Sequence, residues 1–537
     1  MEVIMEQLEK LTAEQKKIYE SLMVYDSVMK GWLDAEEENR VKFRNNPLKA
    51  FLCATGMGKE EFQAMMSPLG DGKALQTYME DGNDFELEEA KTSYTNGWDV
   101  ANQVALNMIN LVLKKIVGDG FWESYTFTQD DKSSDIIFKA HIETMEVVEI
   151  NDTEATMRMV MKECTASGKL ERTDVDVTIG EIEVRFDVNL EEVSFETESG
   201  KTLDLYLDLK KKDAIQDPIV EVQIDSRFIK YALEGLLADG IGKIINSLPM
   251  EPYKICSVEM DEEKLQKADW IIPDYASFSG TKVTMEDAED KKIMAVFLKT
   301  LDKEVSGLNL DILKEIVDYD AEGTVGIAER LTLGHIIPII LTQALDDDTV
   351  SMYYDEDKNY LSIDKTVSIK QSGADVKIKD LKVFSRENGY HLTFNIDGNW
   401  GAGMIDITGD GYCDIKLEFA KDEKGKAQLF ASVSNPILNC SIDVPWWEYL
   451  LIFIAMLIPV IGQVIDVIIC TILAVAMEVI SSVFSDIQEN GIDGLPVDVV
   501  LPIKWNDMKF VDIKSIHFSK GLKISYSMKV AEESEEQ

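Results

Sequence analysis

Residues 175–188 read VDVTIGEIEVRFDV, and this stretch decides the fold. Val175, Val177 and Ile179 are apolar on odd positions, whereas Ile182, Val184, Phe186 and Val188 are apolar on even ones, with Gly180 at the switch. A period of two marks a half-buried strand, and one extra residue at Gly180, a β-bulge, keeps the same face buried through the change of phase. The sequence therefore predicts a long strand in a sheet that bends at Gly180. Outward from this stretch, Leu203, Leu205, Leu207 and Leu209 alternate in the same way. On the N-terminal side, Ala101, Val104, Ala105, Met108, Ile109, Leu111, Val112 and Ile116 cover most of a helical circumference over 98–117, which predicts an enclosed helix. On the C-terminal side, Ile229, Ala232, Leu233, Leu236, Leu237, Ile241, Ile244 and Leu248 predict a second helix ending before Pro249.

The same order recurs in the second half. A helix is expected over 326–345, kinked at Pro338; a meander follows, with Tyr390, Leu392, Phe394 and Ile396 and then Cys413, Ile415, Leu417 and Phe419 in alternation; an apolar helical stretch occupies 446–485. The paired helices start at 98 and 227, then at 326 and 446, spacings of about 120 to 130 residues that indicate a duplicated domain rather than a solenoid. Residues 1–92 are expected to be helical, with Leu8, Leu11, Ile18, Leu22 and Met23 at helical spacing. The organisation expected is α+β: an N-terminal helical region (1–92), two sheet-and-helix domains (93–320 and 321–531) and an acidic tail (532–537).

The chain has 537 residues, 54 basic and 99 acidic, a formal charge of −45. So large an acidic surplus repels phosphate backbones, which excludes nucleic acid as the main partner. Six scattered cysteines without a C-x-x-C are expected to be packing thiols in a reducing cytosol. The N-terminus lacks the basic-then-apolar pattern of a signal peptide, so a cytoplasmic product is expected, with any release by a non-classical route. His141, His335, His391 and His517 have no metal-ligand spacing, and no cofactor is called for. Residues 54–60, ATGMGKE, lack the spacing and the Ser or Thr of a phosphate loop. Gly409-Asp410-Gly411 and Asp346-Asp347-Asp348 lack the alternating ligands of a calcium loop and are expected as a hairpin turn and a solvated loop. A non-enzymatic protein is the expectation.

Residues 449–477 contain a single charge, Asp466, and follow Trp446-Trp447. Two uncharged runs separated by Asp466, the first broken by Pro459 and Gly462, fit a bent helix pair better than one span. Three readings stand: a helix buried in its own domain, a hairpin that enters membranes conditionally, and a permanent anchor. The membrane readings would use Trp446, Trp447, Leu450, Phe453, Leu457 and Asp466.

Two motifs carry a resemblance. Thr95-Asn96-Gly97-Trp98-Asp99-Val100, before the first helix, and Pro502-Ile503-Lys504-Trp505, in the closing strands, resemble the clostridial 47-kDa protein family found with the OrfX proteins of botulinum neurotoxin gene clusters. The resemblance covers roughly 93–530 and implies two tubular lipid-binding (TULIP) domains, each a strongly curved antiparallel sheet wrapped around a long helix. It also implies a role as an accessory of a bacterial toxin system.

The apolar phases of helix and strand nominate Val104, Met108, Leu111, Phe186, Leu205, Ile229 and Leu233 as lipid contacts. Burying each acyl CH₂ contributes about 0.8 kcal/mol, so a dozen carbons would supply roughly 9 kcal/mol before ordering costs. The partners expected are a lipid or other apolar ligand, toxin or accessory proteins, and a membrane through 446–485. The alternatives to lipid binding are a membrane-active toxin component and a protein-binding scaffold.

Overall fold

The computed structural model describes residues 13–67, 85–117, 122–129, 132–151, 153–170, 173–197, 200–207, 209, 215–247, 253–260, 269–285, 288–300, 316–338, 352–363, 366–371, 374–400, 405–421, 427–434, 437–440, 445–456, 503–506 and 508–530. The described helices are α1 (Ala13–Met23), α2 (Asp26–Ala35), α3 (Glu37–Asn45), α4 (Pro47–Thr55), α5 (Lys59–Met66), α6 (Leu106–Val117), α7 (Arg227–Ser247) and α8 (Trp446–Met456). Strands β1 (Val100–Ala105), β2 (Trp122–Gln129), β3 (Lys132–Asn151), β4 (Glu154–Leu170), β5 (Thr173–Thr197), β6 (Gly200–Leu207), β7 (Ile215–Val222), β8 (Tyr253–Glu259), β9 (Pro273–Met285), β10 (Ala288–Thr300) and β11 (Gly323–Ala328) precede the second meander. That meander contains β12 (Met352–Asp355), β13 (Tyr360–Ile363), β14 (Val367–Gln371), β15 (Ala374–Arg386), β16 (Gly389–Trp400), β17 (Ile405–Lys421), β18 (Ala427–Val433) and β19 (Ile437–Cys440). The chain closes with β20 (Ile503–Trp505), β21 (Met508–Ser519) and β22 (Gly521–Val530).

Two compact units form. One takes the described residues of 1–94, 327–476 and 515–523, the other those of 95–326, 477–514 and 524–537. In the second unit an antiparallel sheet runs β2-β3-β4-β5-β6-β8-β20, with β7 also on β5. Its curl begins where the sequence predicts it. Gly180 has φ +86°, and the β4–β5 register is irregular on both sides of the Cys164↔Gly180 pair. Val175 and Ile179 are buried before the bulge, and Ile182, Val184, Phe186 and Val188 after it. β4 answers with its own irregularity: Glu163 has φ +51°, and burial passes from Met157, Met159 and Met161 to Cys164 and Ala166. Beyond the bulge β5 stays on β4 as far as Asn189 and then pairs Leu190–Thr197 with β6, so one strand carries the sheet around the bend.

A Cβ at Gly180 would meet nothing within 4 Å, so the cost of a side chain there is conformational alone. Gly180→Ala is expected to lower stability by about 1–2 kcal/mol, measured by urea unfolding.

The opposite phase of these strands faces solvent and is ion-paired. Arg158 on β4 donates to Glu146 of β3 at 2.9 Å and to Glu183 of β5 at 2.8 Å. Hydrogen bonding from Arg158 holds the Glu183 carboxyl below its ordinary value against the opposing effect of burial. The covered face carries α6 on β3 and α7 on β7 and β2. Asn110 of α6 exchanges two hydrogen bonds, 2.9 and 2.8 Å, with the backbone of Val147 beside a register shift, satisfying groups the irregular ladder leaves over.

The helix expected over 98–117 is corrected: 100–105 is strand β1, and the helix begins at Leu106. The helix expected over 326–345 is corrected in the same way, since Gly323–Ala328 is β11 and helical structure follows only from Glu329. That helix is irregular before Pro338, with a π-turn at Thr332–Ile336; residues 339–345 lie outside the described residues. Both strands are buried at every position and lie inside a six-stranded sheet ordered β21-β22-β11-β1-β10-β9. A strand covered on both faces loses its alternation, so periodicity alone does not separate it from a buried helix.

The first unit holds an eight-stranded antiparallel meander, β12-β13-β15-β16-β17-β18, with β14 on β15 and β19 on β17. Tyr390, Leu392, Phe394 and Ile396 are buried as the alternation requires. Gly409–Gly411, expected as a turn, is instead the interior of β17, paired with β16 on one side and β19 on the other. The Asp-Gly signal misleads there because both of its flanks continue as strand.

Residues 13–66 form the expected helices, burying Ile18, Leu22, Met29, Phe43, Leu48, Phe51 and Phe62; Leu8 and Leu11 lie outside the described residues. Pro47 opens α4 after Asn46, whose side chain accepts from the Lys49 N–H at 2.9 Å, and Gly56 closes it at φ +68°. The ATGMGKE stretch is thus a joint between α4 and α5.

Candidate functional site

The covered face of the second unit is apolar and rich in methionine. Met145 of β3 pairs with Met159, Met159 with Val184, Met157 with Phe186, and Met161 with Ile182. All seven of these side chains are at most 1% exposed. Unbranched thioethers beside an aromatic ring adapt to irregular apolar shapes more readily than branched side chains do. Sequence reasoning overlooked the methionines, although Met157-x-Met159-x-Met161 has the period of a strand.

The nominated lipid contacts distribute unevenly. Phe186 on β5, Leu205 on β6, Leu233 on α7 and Met108 on α6 are buried, and Ile229 is half-buried at the start of α7. Val104 is buried on β1, a strand rather than the expected helix. Leu111, by contrast, is 48% exposed, pointing away from the face that holds Met108.

The two motifs behind the family resemblance meet around β1. Trp98 stacks on Tyr275 and packs on Phe297, while the buried Asp99 carboxylate accepts from the Thr300 N–H at 2.7 Å and pairs with Lys299. Three residues on, Asn102 accepts from the Trp505 indole at 3.0 Å and from the Tyr526 hydroxyl at 3.3 Å. Both motifs are structural, fixing the strands at either end of the unit.

A polar cavity of about 630 Å³ opens beside the start of α6, lined by residues that include Asn107, Glu146, Asp290, Lys291, Tyr319 and Glu322. Its cations are committed to backbone carbonyls, Lys291 to those of Asp318 and Ala321, and Lys292 to that of Val148. Burial pushes the Lys291 ammonium below its ordinary value.

Burial pushes the Cys164 thiol up to about 12 and raises those of Cys256 and Cys413. Cys53, expected to be packed, is exposed on α4. His391 and Asp414 form a 2.6 Å pair across β16 and β17, which the sequence did not suggest. The second carboxylate oxygen of Asp414 accepts from the Leu87 N–H at 2.9 Å, so the pair pins the segment that follows the N-terminal helices.

The stretch 446–485 was expected against the second meander sheet; residues 457–485 lie outside the described residues, and α8 makes contacts with the N-terminal helices. Trp446 stacks on Phe51 with ring centroids 5.8 Å apart, and its indole donates to Asp26 at 3.0 Å. Trp447 meets Tyr19 edge-on, and the Tyr449 hydroxyl donates to the Arg44 carbonyl at 3.0 Å. These contacts have a physical source: buried aromatic residues with polar tips need hydrogen-bond partners, which the N-terminal helices supply. Leu450 is fully buried and Phe453 lies on the same helix; Leu457 and Asp466 lie outside the described residues. Among the described residues, no helix is long and apolar enough to cross a membrane.

Hydrogen bonds from Lys30 and then from Trp446 hold the Asp26 carboxyl below its ordinary value of 3.8. A carboxyl depressed in the folded state contributes stability above its unfolded value and loses it as pH falls through the folded one. Protection of 446–456 in hydrogen exchange, corrected for intrinsic rates, should therefore be flat from pH 7 to about 5 and fall only below about 4. In Asp26→Asn that acid step should be absent.

Long antiparallel strands that curl over helices through paired bulges define a curved-sheet α+β protein. No family model matches the chain, and no curated protein matches it. Among solved structures, the chain is similar to P47 of Clostridium botulinum E1, at 14% identity over 81% of this chain and 99% of that one, with a TM-score of 0.53. P47 from Clostridium botulinum A2 follows at 15% identity, 80% and 97% coverage and a TM-score of 0.48. A lipopolysaccharide binding protein is matched at 8% identity, 81% and 99% coverage and a TM-score of 0.24, too distant in geometry to add to the argument. The chain shares the P47 fold, and the resemblance read from 95–100 and 502–505 is borne out at that level.

Proposed function

We propose that this protein binds lipid through two TULIP-type domains and serves as an accessory of a bacterial toxin system, with toxin or companion proteins as further partners. The observation that carries the reading is the buried methionine row of Met145, Met157, Met159 and Met161 beside Phe186, in a sheet whose β3 carries α6 and whose β2 and β7 carry α7. Such a face takes an acyl chain by area burial alone, so the reading assigns no catalytic residue and no cofactor. Synthesis in the cytoplasm and release by a non-classical route belong to the same proposal. Its test is uptake of cis-parinaric acid by the delipidated protein: fluorescence should rise saturably and be displaced by palmitate. A linear, non-displaceable signal would count against it.

A second reading, membrane insertion through 446–485, is favoured by one feature. The aromatic opening of α8, Trp446, Trp447 and Tyr449, has the composition of a membrane-interface segment.

A further inference from the structure

The polar tips of Trp446 and Tyr449 are both occupied by the N-terminal helices. The Trp446 indole N–H goes to Asp26, the Tyr449 hydroxyl to the carbonyl of Arg44, and the rings of Trp446 and Trp447 to Phe51 and Tyr19. The Arg44 carbonyl belongs to the last turn of α3, where carbonyls lack helical partners, so Tyr449 satisfies the cap while the cap covers Tyr449. The dependence runs both ways. Helices α1 to α5 are 8 to 11 residues long, too short to be stable alone, and they hold together around Phe51, which touches Tyr25, Phe62 and Trp446.

We infer that residues 13–66 are a displaceable cap over a membrane-interface binding site formed by Trp446, Trp447 and Tyr449, and that the partner this site takes is the headgroup region of a zwitterionic bilayer. The inference rests on the second reading above and adds to it the element that keeps the site closed. Indole and phenol rings favour the depth at which their polar tips stay hydrated and their bodies leave water, which is the environment the cap now imitates. A chain of charge −45 is repelled by anionic lipid, which leaves a neutral surface as the matching partner. Short helices joined to one another through a few aromatic contacts open as a unit, so loss of one contact raises the open population of the whole cap.

The test uses the full chain with Asp26→Ala and, separately, Phe51→Ala, at pH 7. Hydrogen exchange of 446–456 and co-sedimentation with phosphatidylcholine vesicles are both measured, and unchanged exchange of β16 and β17 establishes that the sheet of the same unit is intact. Both variants should exchange 446–456 about tenfold faster and bind vesicles about tenfold more than the parent. Adding Trp446→Ala and Trp447→Ala to Phe51→Ala should return vesicle binding to the parent level. Unchanged exchange in both variants, or parent binding equal to that of Phe51→Ala, would overturn the cap and leave the membrane reading standing. Faster exchange without vesicle binding would overturn both.

Discussion

Met108→Trp abolishes acyl-chain uptake, by at least about tenfold in affinity, while Leu111→Trp leaves it within about twofold. The two residues are three apart on α6, but Met108 is 3% exposed and Leu111 48%. An indole at 108 therefore occupies the space under the helix, whereas one at 111 points into water. The pair also separates an occupied channel from a filled core. If protein atoms already fill the space, overpacking at 108 costs about 1–3 kcal/mol of stability; if lipid fills it, the indole replaces lipid and stability changes little. Parinaric acid titration and urea unfolding of both variants give the two readouts.

Trp505→Ala produces the largest loss of stability, about 3–5 kcal/mol, in the second unit. Trp505 is fully buried on β20, pairs with Cys256 of β8, and donates to the side-chain oxygen of Asn102 in β1. Truncation leaves a cavity where two strands distant in sequence are joined, and Asn102 keeps only the longer bond from Tyr526. Trp505→Phe retains most of the apolar volume and should cost about 1–2 kcal/mol, the worth of the indole hydrogen bond with modest repacking. The chain has two units, so global melting mixes two transitions; hydrogen exchange of β1 and β8 follows the relevant one. Equal losses in the two variants would remove the Asn102 bond from the account.

What the sequence disclosed and what it concealed divide along physical lines. The bulge at Gly180 was legible because alternation reports one buried face directly, and its partner in β4 was equally legible in the passage from Met161 to Cys164, though overlooked. Strands β1 and β11 were concealed because residues buried on both faces carry no period. The contact between α8 and the N-terminal helices was concealed for another reason: Asp26 and Trp446 lie 420 positions apart, and neither residue specifies its partner locally. The motifs at 95–100 and 502–505 were visible as a resemblance, but only the structure shows them meeting around β1. Of the nominated lipid contacts, those placed by strand alternation, Phe186 and Leu205, are buried; Leu111, placed on a helix assumed to be enclosed on most sides, is not.

Native mass spectrometry of the full chain before and after organic extraction decides whether the covered face accommodates lipid. Adduct masses of one or two acyl lipids are expected on the native protein, lost on extraction, restored by adding phospholipid, and reduced by Met108→Trp. A protein that shows the mass of its polypeptide alone in every condition, and takes up no lipid when lipid is supplied, would contradict that expectation.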